Sequence, residues 1–216
     1  MTAVSAGGFH TCALTADGAA RCWGRNDFGQ LGNGTTVNAS YPVFVQGLYS
    51  GVAAISSGWG HTCALTPGGA VWCWGGNFNG QLGDTTTMNR SVAVPVSGLG
   101  SGVAAVSAAS SHTCAVTGGG AVWCWGWNGS GQLGDGTTTT RNHAAQVPDL
   151  TGVAAIAAAS HTVAVESDGT VWAWGYNSHG QLGDGTTTDQ LSPLQITGLT
   201  GVEAIGAGGN HTVALK

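Results

Sequence analysis

The chain has 216 residues, 39 of them Gly, a formal net charge of −5 and only 7% charged side chains. Four Arg and one Lys cannot build the clustered basic face that nucleic acid requires or grip anionic lipid, and no apolar run approaches the ~20 residues of a membrane helix. What remains is a weakly charged, Gly-rich chain whose 42% hydrophobic residues suffice for a core.

Taken in chain order, the sequence repeats itself. His-Thr-x-Ala-(Leu/Val) recurs at His10, His61, His112, His161 and His211, and Gly-Gln-Leu-Gly at Gly29, Gly80, Gly131 and Gly180, in steps of 49 to 51 residues. Each unit reads as four short strands. The first is small and apolar, as in Val52-Ala-Ala-Ile55, Val103-Ala-Ala-Val106 and Val153-Ala-Ala-Ile156, which suits a crowded axis. The second is His-Thr-x-Ala-Leu, and the third is Ala-Val-Trp-Cys-Trp-Gly or a variant of it. The fourth carries Pro42, Pro95, Pro148 or Pro193; Pro removes a ladder donor, so this strand belongs at a sheet edge. A ~50-residue unit of four antiparallel strands is one blade of a β-propeller. The expected fold is therefore all-β, a single propeller-type domain over 1–216. Its blades fall at about 3–48, 52–99, 103–150 and 153–199, with a half-blade at 202–216. No stretch sustains a helical period.

The six Cys lie ten apart in pairs: Cys12 with Cys22, Cys63 with Cys73, and Cys114 with Cys124. Between them sit three-residue turns ending in Gly18, Gly69 and Gly120, the left-handed position of such a hairpin loop. Counting outward from Thr15 opposite Ala19 places Cys12 opposite Cys22, within disulfide reach. The same count places Cys63 opposite Cys73 and Cys114 opposite Cys124. The fourth repeat carries Val163 and Ala173 there, losing both cysteines together. A disulfide is favoured over a pair of buried free thiols. It implies an oxidising compartment, hence a secreted or cell-surface location. No leader precedes the first repeat, so any export signal is expected either to have been removed or to lie outside this sequence.

The string His-Thr-Cys-Ala-Leu, Asp-Gly-x-Val-Trp-x-Trp-Gly, x-Asn, x-x-Gly-Gln-Leu-Gly-Asp-Gly-Thr resembles the regulator of chromosome condensation repeat, over nearly the whole chain. The resemblance implies a propeller, typically of seven blades. In its Cys-rich, low-charge form it looks most like repeats of bacterial extracellular and surface proteins. Members include a guanine-nucleotide exchange factor, an ultraviolet photoreceptor and a secreted inhibitor of β-lactamase, so the fold transfers better than function. The chain lacks the exchange factor's basic tail, and only Gly58-Trp59-Gly60-His61-Thr62 matches the photoreceptor motif.

Both ends of the chain carry the same half of a repeat, so they cannot complete each other, and the strand ending at Leu215 is expected to present an unpaired edge. Three resolutions stay open: a longer chain, a second chain covering the edge (self-association), or four blades closing with the extra hairpin packed elsewhere.

The five in-register His are expected to hydrogen-bond neighbouring loop backbone rather than to form a metal set, because radial repetition keeps them apart. Asp84, Asp135 and Asp184 follow Gly-Gln-Leu-Gly, where the first repeat has Asn33; a turn role is favoured over a calcium site. The Trp-x-Trp pairs, such as Trp72 and Trp74, read as core. No cofactor or metal is expected, and no paired carboxylates, nucleophile elbow or phosphate loop appears. Similar repeats differ most in the loops beside the third strand (Arg25, Asp27, Phe28; Phe78; Trp127; Tyr176, His179) and just before His-Thr (Phe9, Trp59). These positions read either as one mixed aromatic binding surface or as tolerant loop tips. The expected function is a non-enzymatic extracellular binding or assembly module for an unspecified protein partner. The alternatives are an exchange-factor-like regulator of a small GTPase and an inhibitor of a secreted enzyme.

Overall fold

A computed structural model describes all residues 1–216. Four antiparallel four-stranded sheets follow one another along the chain. The first holds β1 (Ala3–Ala6), β2 (His10–Leu14), β3 (Ala20–Gly24) and β4 (Ala39–Phe44). The second holds β5 (Ala54–Ser57), β6 (His61–Leu65), β7 (Val71–Gly75) and β8 (Arg90–Pro95). The third holds β9 (Val103–Ala108), β10 (His112–Thr117), β11 (Val122–Gly126) and β12 (Arg141–Gln146). The fourth holds β13 (Val153–Ala158), β14 (His161–Glu166), β15 (Val171–Gly175) and β16 (Gln190–Gln195), and a two-stranded sheet of β17 (Ala204–Ala207) and β18 (Thr212–Leu215) ends the chain. Strand order within each blade is sequential, so β4, β8, β12 and β16 are the outer edges. Pro42, Pro95 and Pro193 lie in those edge strands, but Pro148 falls in the turn after β12.

The first strands line the axis. β1, β5, β9, β13 and β17 pack side by side in that order, because Ala, Ser and Gly leave room for close approach. The arc is open. β17 packs on β13 and β14, and β18 meets the fourth blade through Ala214 and Thr212, as the beginning of a fifth blade, which removes the four-blade closure from the three resolutions.

Three clusters of buried side chains straddle successive blades. Cys12, Leu14, Leu31 and Val45 of the first blade pack with Val52, Ala64 and Trp74 of the second. The same arrangement joins the second to the third blade through Trp125 and the third to the fourth through Trp174. A fourth cluster, around Val163, Leu182 and Ile196, reaches Val202, Ile205 and Ala214 but contains no Trp. The fold is thus held by blade-to-blade burial of apolar surface rather than by one central core.

The cysteine register is as the turn geometry requires. Thr15 N–H donates to Ala19 C=O at 3.0 Å, and Gly69 takes a φ of 79° in the equivalent turn of the second blade. Cys12 faces Cys22 across β2 and β3, Cys63 faces Cys73 across β6 and β7, and Cys114 faces Cys124 across β10 and β11. All three pairs are disulfide-bonded with Cα atoms 4.1 Å apart: Cys12 to Cys22, Cys63 to Cys73, and Cys114 to Cys124. This Cα separation falls just short of the usual 4.4–6.8 Å span of a disulfide. No free cysteine remains, so the buried-thiol alternative is set aside for Cys124 and its five companions alike. In the fourth blade Val163 faces Ala173 at the same place.

The Trp-x-Trp pairs divide by depth. Trp74, Trp125 and Trp174 are fully buried, whereas Trp72, Trp123 and Trp172, two residues earlier, are half-buried. Trp23 of the first blade is also half-buried.

Candidate functional site: an aromatic face on the blade loops

The loops between the first and second strands and those between the third and fourth leave from the same end of each blade, since the strands alternate in direction. The second set of loops is organised by a residue with no role assigned from the sequence. Asn26 is completely buried; its Nδ2 donates to the Thr35 and Val37 carbonyls at 3.0 Å, and its Oδ1 accepts the Leu31 N–H at 2.9 Å. Asn77, Asn128 and Asn177 repeat this clamp. Recurrence at a fixed offset from Trp-Gly is the signal that points to it.

The loop aspartates complete the turn. Asp84 accepts from Thr86 N–H and Oγ1 and from Asn77 Nδ2, and pairs with Arg90 Nε at 2.8 Å. Asp135 pairs likewise with Arg141 at 2.6 Å, and Asp184 with Gln190 at 3.2 Å. Burial pulls the Asp84 and Asp135 carboxyls upward, but hydrogen bonds from the Thr, the Arg and the Asn outweigh it and hold both below the usual carboxylate range. Asn33 makes the Thr35 and Asn26 bonds without a charge, and Ala39 then replaces the Arg six residues on. The six-residue spacing of Asp and Arg is the sequence signal for this pairing, and it is absent from the expectations above.

The histidines differ from expectation. Each Nε2 meets a Thr side chain of the next blade rather than loop backbone: His10–Thr62 at 2.8 Å, His61–Thr113 at 2.9 Å, His112–Thr162 at 3.0 Å and His161–Thr212 at 2.7 Å. The Thr hydroxyls donate onward to Gln carbonyls of the preceding blade, Thr62 to Gln30 at 3.0 Å and Thr113 to Gln81 at 2.8 Å. Since the hydroxyl proton is used there, the Thr oxygen accepts and His Nε2 carries the hydrogen. Nδ1 is then an unprotonated, unpartnered buried nitrogen. Burial lowers His10 and His161 to about 4 and His61 and His112 to about 3, so these rings are neutral struts between blades.

On this frame the variable side chains stand outward. Phe9 (55% exposed), Trp59 (48%) and Phe78 (64%) are solvent-facing and join through Phe28 into one cluster. Phe9 and Trp59 meet edge to face at 5.6 Å between ring centroids, Phe28 and Trp59 lie 6.4 Å apart, and Phe28 and Phe78 5.3 Å. Arg25 lies 5.3 Å from the Phe9 ring and 5.7 Å from the Phe28 ring, within cation–π range, and is oriented by Asp27 at 2.6 Å. Gly60 lies directly under Phe28. The cluster belongs to the first two blades. Trp127 (39% exposed) lies over its own loop at Gly129, while Tyr176 meets His179 edge to face at 6.1 Å between ring centroids and accepts a hydrogen bond from Ser178. Neither makes an aromatic contact with the Phe28 cluster. The single mixed surface read from the sequence is thus one aromatic face with two separate outliers.

Comparison with known proteins places this architecture. The family described as RCC1-like domain matches residues 1–216. Human E3 ubiquitin-protein ligase HERC2 is 37% identical over 144 residues, 66% of this chain and 3% of HERC2. RCC1 domain-containing protein RUG3, mitochondrial, from Arabidopsis thaliana is 35% identical over 136 residues, 62% of this chain and 31% of RUG3. The chain therefore spans a small part of these curated relatives. Among solved structures, human WBSCR16 superposes with a TM-score of 0.87 at 25% identity, over 99% of this chain and 57% of that one. Prp20p from Saccharomyces cerevisiae shares the fold at a TM-score of 0.66 and 20% identity, over 99% of this chain and 69% of that one. With the repeat, the blade order and the family match in agreement, the chain belongs to the RCC1-like domain family.

Proposed function

We propose that the chain is a non-enzymatic module that binds a protein partner through the aromatic face of its first two blades. The observation that carries the reading is the Phe9–Trp59–Phe28–Phe78 chain of ring contacts with Arg25 beside it. Exposed, mutually packed aromatics and an Arg, on loops fixed by buried Asn clamps, are the composition of interface hot spots. Rigid support limits the entropy lost on binding. The family accommodates protein partners on this fold: the structure of Prp20p is described with its binding to Gsp1p and histones. The three disulfides support an oxidising, extracellular setting for this chain.

The test is a quantitative pull-down from extracellular medium with wild type and a Phe9→Ala/Trp59→Ala/Phe78→Ala variant. These side chains face solvent, so circular dichroism should not change. A partner enriched by wild type and lost by the variant is the expected result; equal capture by both proteins overturns the reading.

A further inference from the structure

The junction of the third and fourth blades, both of them complete, departs from the other junctions in one turn. The turn after the fourth strand reads Val45-Gln46-Gly47-Leu48 in the first blade, Val96-Ser97-Gly98-Leu99 in the second and Val147-Pro148-Asp149-Leu150 in the third. Gln46 N–H donates to Gly32 C=O at 2.9 Å, and Ser97 N–H donates to Gly83 C=O at 2.9 Å. Pro148 has no N–H to give, so the buried Gly134, at the same point of the third blade, has a carbonyl that accepts no backbone hydrogen bond. Asp149 takes a φ of 57°, in the left-handed region where the other repeats place Gly47 at 84°, Gly98 at 82° and Gly198 at 82°.

Across the junction stands Trp172 of β15, half-buried against the third cluster. Its Nε1 is sealed from solvent and has no hydrogen-bond partner, a state that Trp72 and Trp123 at the same place in their blades do not share. A cavity of about 240 Å³ lies here, lined by Gly134, Pro148, Asp149, Trp172, Ser192 and Pro193. Its walls therefore carry an indole N–H, a bare carbonyl, a carboxylate outside the chain's three ion pairs and a hydroxyl, set between one Trp ring and two Pro rings. A buried polar group left unpaired is unfavourable, and here a donor and an acceptor are unpaired at one cavity.

This inventory selects the ligand. A cation meets the carboxylate and the carbonyl but leaves the indole N–H stranded, and an anion meets the N–H but is repelled by Asp149. Groups that both donate and accept meet all of them. Hydroxyls on a rigid ring do so while presenting a C–H face to the Trp and Pro walls. The volume lies below the ~300–1,000 Å³ of sites for drug-sized ligands, so one ring fills it. We infer that the cavity binds a single neutral saccharide unit, which donates to Asp149 and to Gly134 C=O, accepts from Trp172 Nε1–H and packs on the Trp172 ring. A peptide amide fits less well, because its N–H groups lie in one plane at one point, against three acceptors spread over the walls at Gly134, Asp149 and Ser192. The site lies on other blades than the aromatic face, and its test is independent of that reading.

The experiment titrates the full protein with the methyl glycosides of glucose, galactose and mannose and follows the indole N–H signals in ¹⁵N–¹H spectra. The Trp172 signal is identified by its loss in Trp172→Phe. Expected is a saturable shift of that signal with at least one glycoside, weakened at least tenfold in a Pro148→Gln/Asp149→Gly variant. This variant installs the turn that the first blade already uses, so its circular dichroism should match wild type. Retention of the protein on agarose bearing the same hexose would mark the end unit of a glycan chain as the ligand, and passage through it a free sugar; either supports the assignment. No response of Trp172 to any of the three glycosides overturns the proposal, since ordered water alone would then serve the cavity. Equal binding by the double variant overturns it too, as does a shift produced by N-acetylglycinamide and by none of the glycosides, which would make a peptide the ligand.

Discussion

At the scale of single residues the molecule rests on a relay of His, Thr and Gln that crosses every blade junction. Thr113 is its clearest member, fully buried, accepting from His61 and donating to Gln81. Thr113→Val keeps the shape but strands the His61 N–H, and a buried donor left without an acceptor costs about 1–3 kcal/mol. The urea midpoint should fall accordingly; an unchanged midpoint would show that the relay adds nothing to stability. The same rings set an acid limit. Four His are held at about 3 or 4, against an ordinary value near 6.5. Below about pH 6.5 the unfolded chain takes up protons that the folded one refuses, so stability falls as pH drops and recovers as it rises. Each ring contributes about 1.4 kcal/mol per pH unit between its folded and unfolded values. Thermal melts should therefore lose stability steadily from pH 6.5 to 4.5, and a flat profile would contradict buried neutral rings.

At the scale of the element, the hairpin of second and third strands is the rigid piece of each blade. Its short closed loop gives a disulfide a contribution of roughly 2.5–3 kcal/mol in the chain-entropy treatment. The fourth blade shows that the hairpin also packs without one, since Val163 and Ala173 are both buried. Cys63→Val with Cys73→Ala copies that solution. The variant should retain its circular dichroism and lose about 2–3 kcal/mol by denaturant unfolding; loss of the fold would mean that packing cannot replace the cross-link. These hairpins are legible from sequence because the turn Gly and the ten-residue spacing fix the register locally. The Asn clamp is harder to read, because its partners, from Leu31 to Val37, form a loop with no periodicity of its own.

At the scale of the whole molecule the arc has unequal ends. Inner blades are covered on both faces, whereas β17–β18 is covered on one and open along an edge. Stability in such arrays is a sum over neighbours, so amide exchange should be fastest in β17–β18 and slowest in β6 and β10. Uniform protection would mean that the blades unfold as one unit. The candidate site follows the same logic of neighbours. Phe9, Phe28, Trp59 and Phe78 stand out in the sequence as variable loop positions, but their union, and the separation of Trp127 and Tyr176 from them, depends on which blades adjoin. By itself the sequence determined the repeat, the four-strand blade, the edge position of the fourth strand and the cysteine pairing, because all are set by contacts within about fifty residues of chain. The His–Thr–Gln relay, the openness of the arc and the grouping of the aromatics were decided only by the tertiary structure. Each is a contact between one blade and the next, and local periodicity carries no record of how blades are turned against each other.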